Sequence, residues 1–396
     1  THHGEILMNR PPVVFIAGER QHAGKTTTSL GIISALCQHM NPTDIGYFKP
    51  VGQEMVTLPN GERIDKDVLV VQQFTDLDIS EPGMLSSVRV VSGVTRNYIQ
   101  SDDRHLITER FEDSIKHTLD ALSDKKLIIA EGTGHPGVGS VVGLSNARVA
   151  NLLDARILYL VGGGIGRTLD ELEVDLSYFA HHRSRVGGVL FNKVLPSKLD
   201  QMASVLTEEA IQRIFSQWVP PLNVFGYMPQ VEYLNNPSME LISASFPSMK
   251  PLNQALIDDS GKRPCRKVKI ISQDYEEFNP TIRLKARDIA VIAAGTHRRL
   301  QRILDYSDSL ENDSIGGIIL TCASEDYPDA RTLEILAQTD VPAIAVEKDT
   351  ADTDQVLYQC FRNTKLQLYD RHKHQMIVDL FTENFDAERF MHTYLK

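Results

Sequence analysis

The sequence predicts an α/β fold: a parallel sheet with helices on both faces, followed by a second, smaller α/β domain. Three observations predict it. Short continuous apolar runs alternate with amphipathic stretches along most of the chain, and strands apolar on both faces belong to parallel sheets covered on both sides. The alternation breaks around residues 247–264 (PSMKPLNQALIDDSGKRP), where the composition turns polar with Pro and Gly. Beyond that break it restarts. Domains are therefore expected at 1–260 and 261–396, and a length of 396 residues suits two of them.

The elements follow in order. PPVVFIAG (11–18) reads as a buried strand, and 25–40 as a helix with Leu30, Ile33 and Leu36 near helical spacing. IGYFKPV (45–51) is a second strand, stopped by Pro50. Residues 52–105 show no clear period, and a stretch that long is often a substrate-side excursion. Order returns at 107–122, where Phe111, Ile115, Leu119 and Leu122 form one stripe. Then come strand LIIAEG (127–132), helix 145–154, strand RILYLVG (156–162), helix 169–179 and strand VGGVLFN (186–192). Past the break, VKIIS (268–272), DIAVIAAG (288–295), IGGIILTC (315–322) and VPAIAVEKD (341–349) are strands with helical stretches between them.

Composition narrows the class. Hydrophobic residues at 42% and charged residues at 23% suit a chain that buries a large core. A formal net charge of −11 argues against a general nucleic-acid binder, which needs a basic surface. Cys37, Cys265, Cys322 and Cys360 form no C-x-x-C pair and read as buried thiols in a reducing compartment. The start THHGEILMNR is polar and carries no secretory pattern, and the longest apolar runs, such as 158–166, fall short of the ~20 residues a bilayer requires. A cytoplasmic protein without membrane or nucleic-acid partners is expected.

The strongest chemical signal is GERQHAGKTTT at 18–28, between a strand and a helix. A glycine-rich turn there points successive backbone N–H groups at phosphate oxygens, and the helix start adds its partial positive charge. Gly18, Gln21, His22, Ala23, Gly24, Lys25, Thr26 and Thr27 are the expected nucleotide contacts of this P-loop. Lys25 would reach the outer phosphates of ATP and Thr26 would ligate Mg²⁺. Five residues rather than four separate Gly18 from Gly24. Glu131, at the end of LIIAEG before a run of glycines, is placed either to hold Mg²⁺ or as a solvated loop acid. Asp67 in KDVLVVQ is a similar candidate, with Asp65 as its rival. Lys49 ends the second strand and would bring a second positive charge to a transferring phosphate or an anionic substrate. Asn192, at the end of VGGVLFN, carries an amide suited to a purine edge. VGGGIG (161–166) lacks the fingerprint of a dinucleotide site and reads as a loop, and His135, His181 and His182 form no ligand set.

Together these motifs resemble the dethiobiotin synthetase family of P-loop ligases. The nearest likeness is to the form that opens long bacterial phosphate acetyltransferases. The likeness covers roughly 11–245 and rests on the P-loop with its five-residue gap, YFKPV, KDVLVVQ, the EGTG turn and GVLFNKV. It implies MgATP, phosphorylation of a carbamate, Lys25 and Lys49 on the phosphates and the carbamate, Thr26, Asp67 and Glu131 on Mg²⁺, and Asn192 on adenine. It also implies a homodimer or higher homo-oligomer. Gln21 and Gln53 depart from the family at the substrate end. Residues 265–396 resemble the regulatory domain that follows in those acetyltransferases, through GGIILT, VPAIAVEKDTADT and the closing helices through NFDAERF. The D-R-T-G-G sequence that names it is replaced by AGTHRR (294–299), and no acetyl-transferring domain follows, so phosphate acetyltransferase activity is not expected. Two functions remain in view: an ATP-dependent ligase that activates a carboxylate or carbamate, and a nucleotide-responsive regulatory module. The acceptor substrate is not readable from these residues.

Overall fold

Apolar strands too short to cover themselves assemble here into two large sheets, beside one small two-stranded hairpin. The computed structural model describes residues 10–90, 93–218, 220–272 and 276–395; the polar start lies outside these except for Arg10. The chain divides into two compact units, one running to Gln230 and resuming at His374, the other Val231–Lys373.

In the first unit the chain forms β1 (Val13–Gly18), α1 (Lys25–Leu36), β2 (Ile45–Gly52), β3 (Met55–Thr57), β4 (Arg63–Asp65), α2 (Lys66–Phe74), β5 (Ser86–Arg89), α3 (Val94–Gln100) and α4 (Arg104–Ala121). It continues through β6 (Leu127–Glu131), α5 (Asn146–Leu152), β7 (Arg156–Val161), α6 (Ile165–His181), β8 (Arg185–Val194), α7 (Leu199–Val205), α8 (Glu208–Ile214) and β9 (Asn223–Pro229). Seven strands lie in the order β5-β2-β6-β1-β7-β8-β9, each parallel to its neighbour. All six residues of β1, the central strand, are buried, as its unbroken apolar run requires. From β1 the chain first builds one wing and then, at β7, the other. Such a reversal opens a crevice at the carboxyl ends of the strands.

The second unit holds α9 (Met239–Ser243), β10 (Lys250–Pro251), α10 (Asp259–Lys262), β11 (Val268–Ile270), α11 (Pro280–Arg283), β12 (Ile289–Ala293), α12 (His297–Asp308), β13 (Gly317–Thr321), α13 (Ala330–Leu336), β14 (Ala343–Ala345) and α14 (Thr350–Arg362). Its five strands run β10-β14-β13-β12-β11, with only β10 antiparallel. Alternate residues serve opposite faces. Ile318 and Leu320 pack with Leu300 and Ile303 of α12 and Leu336 of α13, while Ile319 joins Met239 and Ile242 of α9 and Leu357 of α14.

Four readings from sequence change. The aperiodic 52–105 holds the β3–β4 hairpin, α2, β5 and α3, whose strands of three and four residues are too short to show a period. VGGGIG is not wholly loop: α6 begins inside it at Ile165, after an extended Gly164. Of the cysteines only Cys265 is buried; Cys37 and Cys360 are half-buried, Cys322 is exposed, and all are free thiols. The composition break at 247–264 falls within the second unit, and the closing helices return to the first. These are α15 (Arg371–Asn384) and α16 (Ala387–Tyr394). Phe381 lies against Gly31 of α1, where a Cβ would meet its ring at 2.1 Å, and Phe390 and Tyr394 each pack 5.6 Å from Phe225 of β9.

Candidate functional site

The turn from β1 to α1 is shaped by two left-handed residues, His22 (φ 64) and Gly24 (φ 92). Gly24 is glycine for two reasons. Its φ disfavours a side chain, and a Cβ would stand 2.6 Å from Asn192 Nδ2. Gln21 and His22 are exposed, Ala23 is buried, and Thr26 and Thr27 are half-buried in the first turn of α1. At Gly18 a Cβ would press to 2.9 Å from that of Ala23, so β1 and its turn pass close together. Lys25 folds back over the loop: its Nζ donates to the Arg20 carbonyl at 3.0 Å and the Gly134 carbonyl at 3.2 Å. Glu19, buried beside Gly162, has its carboxyl pushed up to about 7 by burial and by the Glu171 carboxylate.

Next to this loop lies a network of acids and donors. The register that pairs Ile16 with Glu131 and Phe48 with Ala130 brings Glu131 beside Lys49. Glu131 is fully buried and accepts from Thr26 Oγ1 at 2.8 Å, Ser29 Oγ at 2.9 Å, Tyr47 Oη at 2.9 Å and Lys49 Nζ at 3.0 Å. It is therefore no solvated loop acid. Lys49 also forms a close ion pair with Asp67. Burial alone would lower the Lys49 ammonium, but Asp67 and Glu131 outweigh it and hold it well above the ordinary lysine value. Burial likewise opposes the Asp67 charge, yet the adjoining Lys49 ammonium keeps its carboxyl below the usual range.

The rivals Asp65 and Asp67 separate cleanly. Asp65 caps α2, accepting from the Asp67 N–H at 2.9 Å, and its other oxygen accepts from the Gln53 N–H at 3.1 Å. Burial pushes its carboxyl up to about 6. Asp67, in the first turn of α2, points into the network. Gln53, Met55, Val56, Arg63 and Lys66 line a cavity of about 510 Å³ around the β3–β4 hairpin. Asn192, at the end of β8, is buried against the phosphate loop and donates to the Ala23 carbonyl at 2.8 Å. His135, His181 and His182 stay outside this network, and among the described residues no group of three or more His, Cys, Asp or Glu side chains stands ready for a metal.

Sequence reading missed Tyr47 and Ser29 on Glu131. Both left a signal: Tyr47 is two residues before Lys49, on the same face of β2, and Ser29 is three residues after Thr26, on the same face of α1. Asn146, which holds the EGTG turn through the Thr133 and His135 carbonyls at 2.8 Å each, left none.

A family model described as an AAA domain matches residues 13–238, more than half of the chain. The chain belongs to this AAA-domain family. The family is one of P-loop, ATPase-like nucleotide-binding proteins, and the matched residues carry both the loop and the acid network. No curated protein matches this AAA-domain chain. Among solved structures it is similar to the CBS and DRTGG domains of the regulatory region of Clostridium perfringens pyrophosphatase complexed with the activator diadenosine tetraphosphate. That likeness has 14% identity over 32% of this chain and 49% of that one, with a TM-score of 0.26. A ParA family ATPase from Chlorobium tepidum TLS is similar at 15% identity over 57% of this chain and 86% of that one, TM-score 0.33. The MinC:MinD cell division complex of Aquifex aeolicus gives 13%, 56%, 83% and 0.33 in the same order. The AAA-domain chain thus spans about half the length of the first and more than four-fifths of the other two. Likenesses of this degree say nothing of substrate or activity. Among the described residues no helix is long and apolar enough to cross a membrane.

Proposed function

We propose that the chain binds MgATP on the loop from Gly18 to Gly24 and, as a ligase does, activates a carboxylate or carbamate by phosphoryl transfer. The observation that carries this is the unbroken run of contacts from Thr26 through Glu131 to Lys49 and Asp67, beginning one residue from Lys25. Holding a nucleotide requires less charge than this. The residues fit the group: left-handed His22 and Gly24 curve the loop backbone, and a hydroxyl with two carboxylates is the hard-oxygen set that Mg²⁺ takes. Gly18, Gln21, His22, Ala23, Gly24 and Thr27 would line the phosphates, and Thr26, Asp67 and Glu131 would hold Mg²⁺.

Bound ATP supplies a phosphoryl group that turns an acceptor oxygen into a good leaving group. The chain's own residues do the rest. The Lys25 ammonium, now on two loop carbonyls, exchanges them for phosphate charge. Lys49 steadies an anionic acceptor, and the cavity at Gln53 gives that acceptor room. Asn192 has its Nδ2 committed to Ala23, which leaves Oδ1 for the amino edge of adenine. Asn192→Ala should weaken ATP more than it weakens pyrimidine triphosphates; equal losses would remove this role.

The second reading, a nucleotide-responsive module, draws support from the second α/β unit. Release of ADP and phosphate at saturating MgATP separates the two, measured with and without diamines plus bicarbonate or dicarboxylates. Stimulation by an acceptor supports the ligase. Tight binding with no stimulated turnover by any of them selects the module. A homo-oligomer, supported by the resemblance, is checked by light scattering.

A further inference from the structure

Just before its end strand β8 carries two consecutive side chains that turn back onto the phosphate loop. Asn192 Nδ2 donates to the Ala23 carbonyl at 2.8 Å, and Lys193 Nζ donates to the His22 carbonyl at 2.8 Å. The two acceptors are consecutive as well. Neighbours on a strand ordinarily point to opposite faces. Lys193 reaches the loop beside Asn192 because its backbone is left-handed, with φ 54, a region costly for a residue with a side chain. That local strain is held in place at the loop.

The geometry has a consequence for ligand binding. In a trans peptide the carbonyl and the following N–H point in opposite directions. Drawing the His22 and Ala23 carbonyls toward β8 therefore aims the Ala23 and Gly24 N–H groups the other way, where the Ala23 N–H meets the Arg20 carbonyl at 3.4 Å and a phosphate oxygen would take that carbonyl's place. Successive N–H groups so aimed make an anion-binding concavity.

We propose that Lys193 is a positioning residue of the phosphate loop, acting with Asn192 to aim the Ala23 and Gly24 N–H groups at an oligophosphate. This rests on the nucleotide reading above. Lys193 serves any ligand with a phosphate chain, whatever its base.

Two measurements on the full-length chain test it. Hydrogen exchange of the loop amides, followed in a peptide spanning 18–25 without ligand, should speed up about tenfold in Lys193→Met and Lys193→Gln, as loss of a hydrogen bond from a charged donor implies, and return in Lys193→Arg. Calorimetry with sodium tripolyphosphate and with ATP should show both bound about tenfold more weakly by the Met and Gln variants, by the same factor, and restored by Arg. Unchanged loop exchange overturns the proposal. So does faster exchange with unchanged tripolyphosphate affinity, which makes Lys193 a tether of no functional weight, and so does a loss confined to ATP, which places Lys193 on the nucleoside. If the unaltered chain binds neither ligand, the nucleotide reading fails, and the positioning role for an oligophosphate fails with it even where the exchange result shows the contact to be real.

Discussion

Lys49→Met tests the charge balance on which the proposed chemistry depends. Lys49 is 5% exposed and stands between Asp67 and a Glu131 that is 0% exposed. Its loss leaves two carboxylates facing each other with no counter-charge. Removing one partner of a buried ion pair typically costs about 3–5 kcal/mol. Thr26, Ser29 and Tyr47 still donate to Glu131, which places this case at the low end, about 3 kcal/mol. At ~2–4 °C per kcal/mol for a unit of this size, the melting temperature should fall by ~6–12 °C near pH 7. The pH sign follows from the native pair. Asp67 has a folded-state pKa below its ordinary value, so its stabilisation is present above about pH 4 and is lost as pH falls through the lowered value. In Lys49→Met the Asp67 carboxyl loses the cation that holds it down and shifts upward instead, and protonation relieves it. The deficit should therefore be largest near pH 7 and shrink on acidification. Mg²⁺ without nucleotide should raise the melting temperature of Lys49→Met more than that of the unaltered chain. Melts by calorimetry across pH, with and without Mg²⁺, read all three. Equal melting of the two proteins near pH 7, or a deficit that grows on acidification, would refute the reasoning.

Lys25→Ala should weaken MgATP by a few kcal/mol with little change in melting, because its contacts are loop carbonyls and not core; unchanged affinity in calorimetry removes the P-loop assignment. Asp65→Ala should cost about 1–2 kcal/mol of stability through the lost cap, whereas Asp67→Ala should chiefly weaken Mg²⁺-dependent nucleotide binding. Reversed outcomes in paired melts and titrations would exchange their roles. A chain ending at Lys373 loses Phe381, Phe390 and Tyr394, all buried. At about 3–5 kcal/mol for each large aromatic, on the order of 10 kcal/mol is lost against a typical total of ~5–15, so the first unit should fail to give a cooperative melt; a normal one would show the closing helices to be dispensable.

Much of this molecule is legible in the residue string because its elements are fixed over short distances. The unbroken apolar run of β1, the glycine-bearing turn and the helix start at Lys25 are local, and so is the strand end that presents Glu131. Local patterns also marked Lys49, Asp67 and Asn192 as strand-end or helix-start residues worth attention. They could not rank Asp65 against Asp67, since two acids two residues apart differ only in what the fold sets opposite them. Asp65 finds the N–H groups of Asp67 and Gln53, and Asp67 finds Lys49.

The sequence by itself determined the class of fold, the phosphate-loop motif and the strand order in which its candidate partners occur. Tertiary structure decided which of them meet. Parallel register across β2, β6 and β1, set by the pleat of three strands far apart in the chain, brings Tyr47, Lys49, Thr26 and Ser29 onto one carboxylate. It decided, too, that the last helices belong with the first unit. An amphipathic helix declares which of its faces is apolar, but not which sheet that face will cover, because burial is non-directional and the nearest matching surface lies hundreds of residues away along the chain.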